Sequence, residues 1–338
     1  MGSTRVDEPP ARPHLFVGGG GATTDVTEVD GVTGLTQAMR LLDGTGLRAM
    51  LLAFRHDPGP VRREVEPDPT LVDLTESPFE DVDDVLERLT ALEGVLRERS
   101  DRRAVFLTVY SRMTRAIRSR VDAGRFRDPE WMRRYTVAFA DYYRQAFLAF
   151  ERGRLGTVPA PWRVAFDTAV EGAGLVVQDA FLGINAHINY DLALTLIDVG
   201  IDADRAAKRA DHRAVNDVLR RLVDAQQDAL AELYAPGVAE IDATLGRFDE
   251  AFALFGMTEG REKAWRVAVV TSDVDLPPVR SYARWVLRTT ATGGAVFVLS
   301  PTVAPALLEK LRRVELDGIG VDTALDYLTD RLDEEVPE

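Results

Sequence analysis

From Ser77 onward apolar residues recur at three- and four-residue intervals, the period of an α-helix with one face turned to a core. Val82, Val85, Leu86, Leu89, Leu92, Val95 and Leu96 make one such stripe. Ahead of it, Ser77-Pro78-Phe79-Glu80 offers an N-cap, a first helical proline and a capping-box glutamate. A second stripe, Val105, Phe106, Val109, Met113, Ile117 and Val121, predicts a helix from about Arg103 to Ala123, ended by Gly124. Asp128-Pro129-Glu130 opens a third helix whose face is aromatic: Trp131, Tyr135, Phe139, Tyr142, Tyr143, Phe147 and Phe150. Further helices read at about Asp204 to Tyr234, Ile241 to Phe255, Glu259 to Ser272 and Val279 to Thr290, with Pro236, Pro277 and Pro278 as stops. Gly293 to Ser300 reads as a loop and apolar run before a last pair of helices and a frayed acidic tail after Asp330.

This pattern predicts an all-α fold, a compact multi-helix array with a buried central helix. Residues 1–75 read as an N-terminal extension, 76–292 as the helical core and 293–338 as a C-terminal extension. Within the first part, Leu47 to Phe54 fits a strand or a short helix equally well.

The central helix carries Gln178-Asp-Ala-Phe-Leu-Gly-Ile-Asn-Ala-His-Ile-Asn-Tyr-Asp-Leu192, which sets polar side chains among apolar ones on every side. Buried polar groups are costly without partners, so these residues need neighbours. On a helix Gln178, Leu182, Asn185 and Asn189 share one stripe, while Ile184, His187, Asp191 and Leu194 lie opposite. One turn apart, His187 and Asp191 can share a divalent metal ion, or the carboxylate can orient the imidazole as a general base. A second polar group follows at Asp211, His212 and Asn216, with His212 placed at the half-exposed border of its stripe. Arg261 lies on the apolar stripe of its own helix with Trp265, and a buried arginine predicts a carboxylate partner, for which Asp191 and Asp211 are the candidates.

Composition narrows the chemistry. The 338 residues contain no cysteine, which removes disulfides, thiolate nucleophiles and Cys-ligated metals. A formal charge of -14 opposes a nucleic-acid surface, and no stretch nears the roughly 18 apolar residues of a membrane span. A soluble cytoplasmic protein with small-molecule partners is the expectation. Gly18 to Gly21 lacks the Lys-Ser/Thr of a phosphate loop, Ser111 and Ser272 lack an evident base, and His14 and His56 fall in the extension.

Phe106-Leu-Thr-Val-Tyr110 with Thr114, Gly124-Arg-Phe126 with Asp128 and Trp131, Phe139-Ala140 with Tyr143, Trp162 with Phe166, and Gly183-Ile-Asn-Ala-His-Ile-Asn-Tyr-Asp-Leu192 together resemble an uncharacterised bacterial and archaeal group, the domain-of-unknown-function family 5995. The likeness spans about residues 80 to 275 and implies one helical unit, without implying a reaction, cofactor or substrate.

Three uses of the polar cluster stand open. In the favoured one it is an enzyme centre, metal- or small-molecule-dependent, with His187, Asp191 and Asp211 catalytic and Gln178, Asn185, Asn189, Asn216, Arg261 and Tyr143 binding; His187 and Asp191 would be the metal ligands. In the others it is a binding module without chemistry, or a polar core that fixes helix packing.

Overall fold

The computed structural model describes residues 38–39, 41–42, 44–57, 59–234, 257–274, 276–299, 305–315 and 320–335. The Gly-rich 18–21 stretch, His14 and the helix expected at Ile241 to Phe255 lie outside them. Among the described residues the fold is all-α, with thirteen α-helices and no strand.

In chain order these are α1 Gly44–Ala53, α2 Pro69–Glu76, α3 Val82–Glu98, α4 Ala104–Asp122, α5 Pro129–Glu151, α6 Ala160–Glu171, α7 Val176–Ala186, α8 Leu192–Val199, α9 Arg205–Tyr234, α10 Met257–Asp273, α11 Pro277–Leu299, α12 Pro305–Val314 and α13 Gly320–Glu335. Between α7 and α8 the chain stays helical but makes one wider turn, a π-helix at His187–Asp191 in which the Leu192 N–H donates to the His187 carbonyl five residues back. The segment from Val176 to Val199 is therefore one continuous helix with a residue inserted midway.

That segment is central because neighbours surround it: α4 and α6 pack on α7, α5 and α10 on α8, and α11 on α7 and the π-turn. Its apolar residues Leu182, Ala186, Leu192, Ala193 and Leu196 reach zero exposure on several sides, as expected of a helix without a solvated face. The helices on the outside are amphipathic. In α3, Val85, Leu89, Leu92 and Leu96 are buried while the intervening positions other than Glu93 meet solvent.

Several ends differ from the sequence expectation. Ser77 closes α2 in an extended conformation, and α3 begins after Asp81, whose side chain accepts from the Asp84 N–H. The capping role passes from serine to aspartate because the chain turns between the two helices before re-entering one. Leu47 to Phe54 is mostly helix, α1. Gly293 and Gly294 do not break the chain; they lie inside α11, and a Cβ on Gly293 would come 1.7 Å from the Ala49 carbonyl oxygen of α1. Glycine here serves close approach between helices. The acidic tail continues α13 to Glu335, with Leu325, Leu328 and Leu332 buried and Asp333 bonded to Arg112.

Candidate functional site

His187 and Asp191 meet across the π-turn, Nδ1 to Oδ2 at 3.0 Å, and both side chains are at most 2% exposed. Two further donors fix the aspartate. The Trp162 indole N–H reaches the same Oδ2 at 2.7 Å, and Thr195 Oγ1 donates to the Asp191 carbonyl at 2.9 Å. The Phe139 ring stacks face to face on the imidazole, centroids 3.6 Å apart and planes 12° from parallel. Tyr110, Phe106, Trp162 and Tyr143 complete an aromatic enclosure at 4.5, 5.7, 5.8 and 6.5 Å. Gly183, one turn before His187, leaves the space that the Phe106 ring fills.

Four buried polar atoms of this enclosure have no hydrogen-bond partner: His187 Nε2, Asp191 Oδ1 and the hydroxyls of Tyr110 and Tyr143. Such groups are rare in folded interiors, where an unmade bond costs about 1–3 kcal/mol. Burial drives the imidazole toward its neutral form and pushes the Asp191 carboxyl upward, against the lowering influence of the Trp162 N–H. Both directions hold the pair near zero net charge.

On the other side of the same helix the amides pair with backbone and each other. Asn185 donates to the Ala291 carbonyl of α11 at 2.8 Å, and Asn189 donates to Asn185 Oδ1 at 3.0 Å. Asn189 Oδ1 lies where a Cβ on Gly260 would be, 2.4 Å away, so α10 can cross here only with glycine at that position. Gln178 bridges the Leu175 N–H and the Val298 carbonyl. Asn185 and Gln178 therefore tie this helix to α11, Asn189 braces Asn185, and the split into two stripes is physical.

The second polar group uses its residues differently from expectation. Asp211 does not pair with Arg261. Both of its carboxylate oxygens accept main-chain N–H groups, from Arg127 at 2.8 Å and Asp128 at 2.7 Å, and so clamp the turn before α5. Both oxygens of this carboxylate are thus engaged in holding the chain between α4 and α5. Arg261 meets neither Asp191 nor Asp211: its Nε donates to Asn216 Oδ1 at 2.6 Å and its terminal nitrogen to the His212 carbonyl at 2.5 Å. Helix stripes give the face a residue occupies but not its depth along the neighbouring helix, so the expected pairing does not form. His212 is fully buried rather than half-exposed. Its Nε2 donates to the Arg261 carbonyl at 3.2 Å, so Nδ1 is the acceptor for the Tyr135 hydroxyl at 3.0 Å. Burial and the nearby Arg261 charge lower its pKa. Both nitrogens of His212 are engaged, whereas one of His187 is not.

The family of unknown function DUF5995 matches residues 82–301 of this chain. The chain belongs to that family. No curated protein and no solved structure matches it. Both histidine centres, and Arg261, fall inside the DUF5995 region, while all of α1 and α2 and the last two helices, α12 and α13, fall outside it.

Among the described residues of this DUF5995 chain no three His, Asp or Glu side chains gather where they could hold a metal ion. His187 and Asp191 would offer two ligands, one short of an ordinary protein metal site. Among the aromatic residues singled out on α5, Tyr143 lines the His187 enclosure and Tyr135 serves His212, while the Tyr142 hydroxyl turns outward to Asp198. His56 is partly buried, and burial and Arg163 lower its pKa.

Three features were legible but missed. Trp162 and Tyr110 touch the pair and were read only as likeness residues. Glu93 shares the stripe of Leu89, Leu92 and Leu96, and it is buried against Thr108, Ser111 and Arg112. Asp179 pairs with Arg102 at 2.6 Å, and Arg102 also approaches Glu315 of the C-terminal region at 3.6 Å. Glu93 could have been found by the reasoning applied to Arg261, a charge on an apolar stripe.

Proposed function

We propose that the chain is an enzyme whose acid–base centre is the Asp191–His187 pair, acting on a small molecule enclosed by Tyr110, Tyr143, Phe139 and Trp162. The observation that carries this reading is the unpartnered His187 Nε2. Asp191 and Trp162 fix the opposite edge of the ring, Phe139 fixes its plane, and one nitrogen is left with nothing in the protein to bond. A purely structural histidine, such as His212, has both nitrogens engaged.

At zero net charge the Asp191 carboxyl donates to Nδ1, and the imidazole proton resides on Nε2 as a donor. Loss of one proton from the pair leaves Nδ1–H facing a carboxylate and turns Nε2 into an acceptor. The same nitrogen then gives a proton to a ligand and takes one back, with Asp191 balancing the charge. The Tyr110 and Tyr143 hydroxyls supply hydrogen bonds that orient the reacting group. Neighbouring aromatic rings exclude water, which strengthens each of these contacts.

The test is a thermal-shift screen of small polar compounds against the full chain, repeated with His187→Gln and Asp191→Asn, followed by turnover assays on the hits. Expected are ligands that stabilise the wild type and are converted by it, and a turnover loss of at least about 100-fold in either variant. Binding with no turnover in any protein would leave a binding module instead. A screen with no stabilising ligand, together with a large stability loss in Asp191→Asn, would point to a packing role and sink the proposal.

A further inference from the structure

Arg261 is 3% exposed and, among the described residues, has no carboxylate within ion-pair distance. Its neighbours are already committed. Glu262 accepts from Arg209 and Arg213, and Asp211 from two main-chain amides. What surrounds the guanidinium is neutral: Asn216, the His212 carbonyl and ring, and Tyr135. Arginine stays protonated even in an interior, and a buried charge without its opposite is destabilising by several kcal/mol. The arrangement makes sense where an anion from outside the chain completes it.

The position of Arg261 ties this charge to the centre described above. Tyr135, Phe139 and Tyr143 stand on successive turns of α5. Tyr135 stacks on His212, Phe139 lies 6.2 Å from Tyr135, and Phe139 covers His187. Tyr110 spans the same interval from α4. Its ring is 4.5 Å from His187 and 6.2 Å from Phe139, and its unpartnered hydroxyl is within electrostatic reach of Asp191, Tyr143 and Tyr135. A single row of side chains thus runs from Arg261 through Tyr135 and Tyr110 to His187.

We infer that the ligand of this interior is a small organic monocarboxylate, its carboxylate held by Arg261 and its uncharged end directed along Tyr110 toward His187. One guanidinium matches one negative charge. Two of its three nitrogens already serve Asn216 and His212, which favours a planar carboxylate over a phosphate dianion that calls for more donors. The inference rests on the acid–base reading of His187 for the direction of the ligand, but not for its charge.

The experiment measures thermal shift and calorimetric affinity of the full chain for a panel of two- to six-carbon monocarboxylates and their primary amides, in chloride-free buffer at pH 7. Wild type, Arg261→Gln, Arg261→Lys and His187→Gln are compared. Expected are one or more carboxylates that stabilise the wild type while the matching amides do not. Affinity falls at least about tenfold in Arg261→Gln and is partly restored in Arg261→Lys, which also shows that the site folds. Carboxylate binding in His187→Gln persists, so loss of the acid–base reading leaves this inference standing. Equal stabilisation by acids and amides, retained carboxylate affinity in Arg261→Gln, or no response to any carboxylate in the panel would overturn it.

Discussion

Replacing Gly183 by alanine should destabilise the fold even though alanine is the better helix former. An ideal Cβ at this position falls 2.4 Å from two carbons of the Phe106 ring and 2.7 Å from the Phe106 Cβ. Apolar carbons in contact sit about 3.5–4.0 Å apart, so the ring must retreat by more than an ångström. It has little room, because Tyr110, Tyr143, Trp162 and His187 stand 5.3 to 5.7 Å away, centroid to centroid. Overpacking of this kind costs about 3 kcal/mol at its upper end, and the helix propensity of alanine returns about 1 kcal/mol. The net loss is on the order of 2 kcal/mol, or about 3 °C in Tm for a chain of this size. The control is Gly94→Ala on α3, where a Cβ meets nothing within 4 Å and propensity alone should act, giving a small gain. Calorimetric melting of the two variants beside the wild type decides the matter. If Gly183→Ala melts at or above the wild-type temperature, the packing of Phe106 against the motif helix is not as described.

Asp179 gives a pH prediction. Burial pushes its carboxyl up from 3.8 to about 7, with the Glu315 charge adding to the rise and Arg102 opposing it. Since folding raises this pKa, the associated stability is complete below about pH 4 and is lost as pH climbs through about 7. The displacement bounds the loss at about 4 kcal/mol. Urea titrations between pH 4.5 and 7.5 should show the wild type losing stability relative to Asp179→Asn, and parallel profiles would contradict the assignment. Gly293→Ala should undock α1, because the added carbon meets the Ala49 main chain at 1.7 Å and a backbone cannot rotate aside. Hydrogen exchange in residues 44–53 should accelerate by at least about tenfold while the amides of α4 and α7 keep their protection; unchanged exchange in α1 would refute it.

The helices were legible wherever an apolar stripe was unbroken, as in Val85 to Leu96 or Val105 to Val121, because one periodicity sets both secondary structure and burial. The division of the motif into an Asn185–Asn189 side and a His187–Asp191 side was legible for the same reason. Depth was not. Arg261 and Asp211 both face inward, yet whether two inward residues meet depends on where the helices cross, and crossing is set by small residues such as Gly260 whose role shows only against Asn189. Gly293 misled for a related reason, since glycine marks a turn in isolation and a close approach inside a packed pair.

The wider turn at His187–Asp191 also bears on how this sequence can change. One residue more than an α-helix requires is stored between α7 and α8, and each helical residue turns the chain by about 100°. Deleting one position there would restore regular winding and leave the face of α8 nearly unchanged, because the extra residue is taken up within the wide turn itself. Leu192, Ala193 and Leu196 would keep their neighbours on α5 and α10, and the loss would fall on the His187–Asp191 pair, whose spacing belongs to the wide turn. In the regular turns of α7 or α8 the same deletion would rotate every later residue by about 100° and empty those contacts. The fold should therefore tolerate a one-residue deletion between His187 and Asp191 better than one in the regular turns on either side.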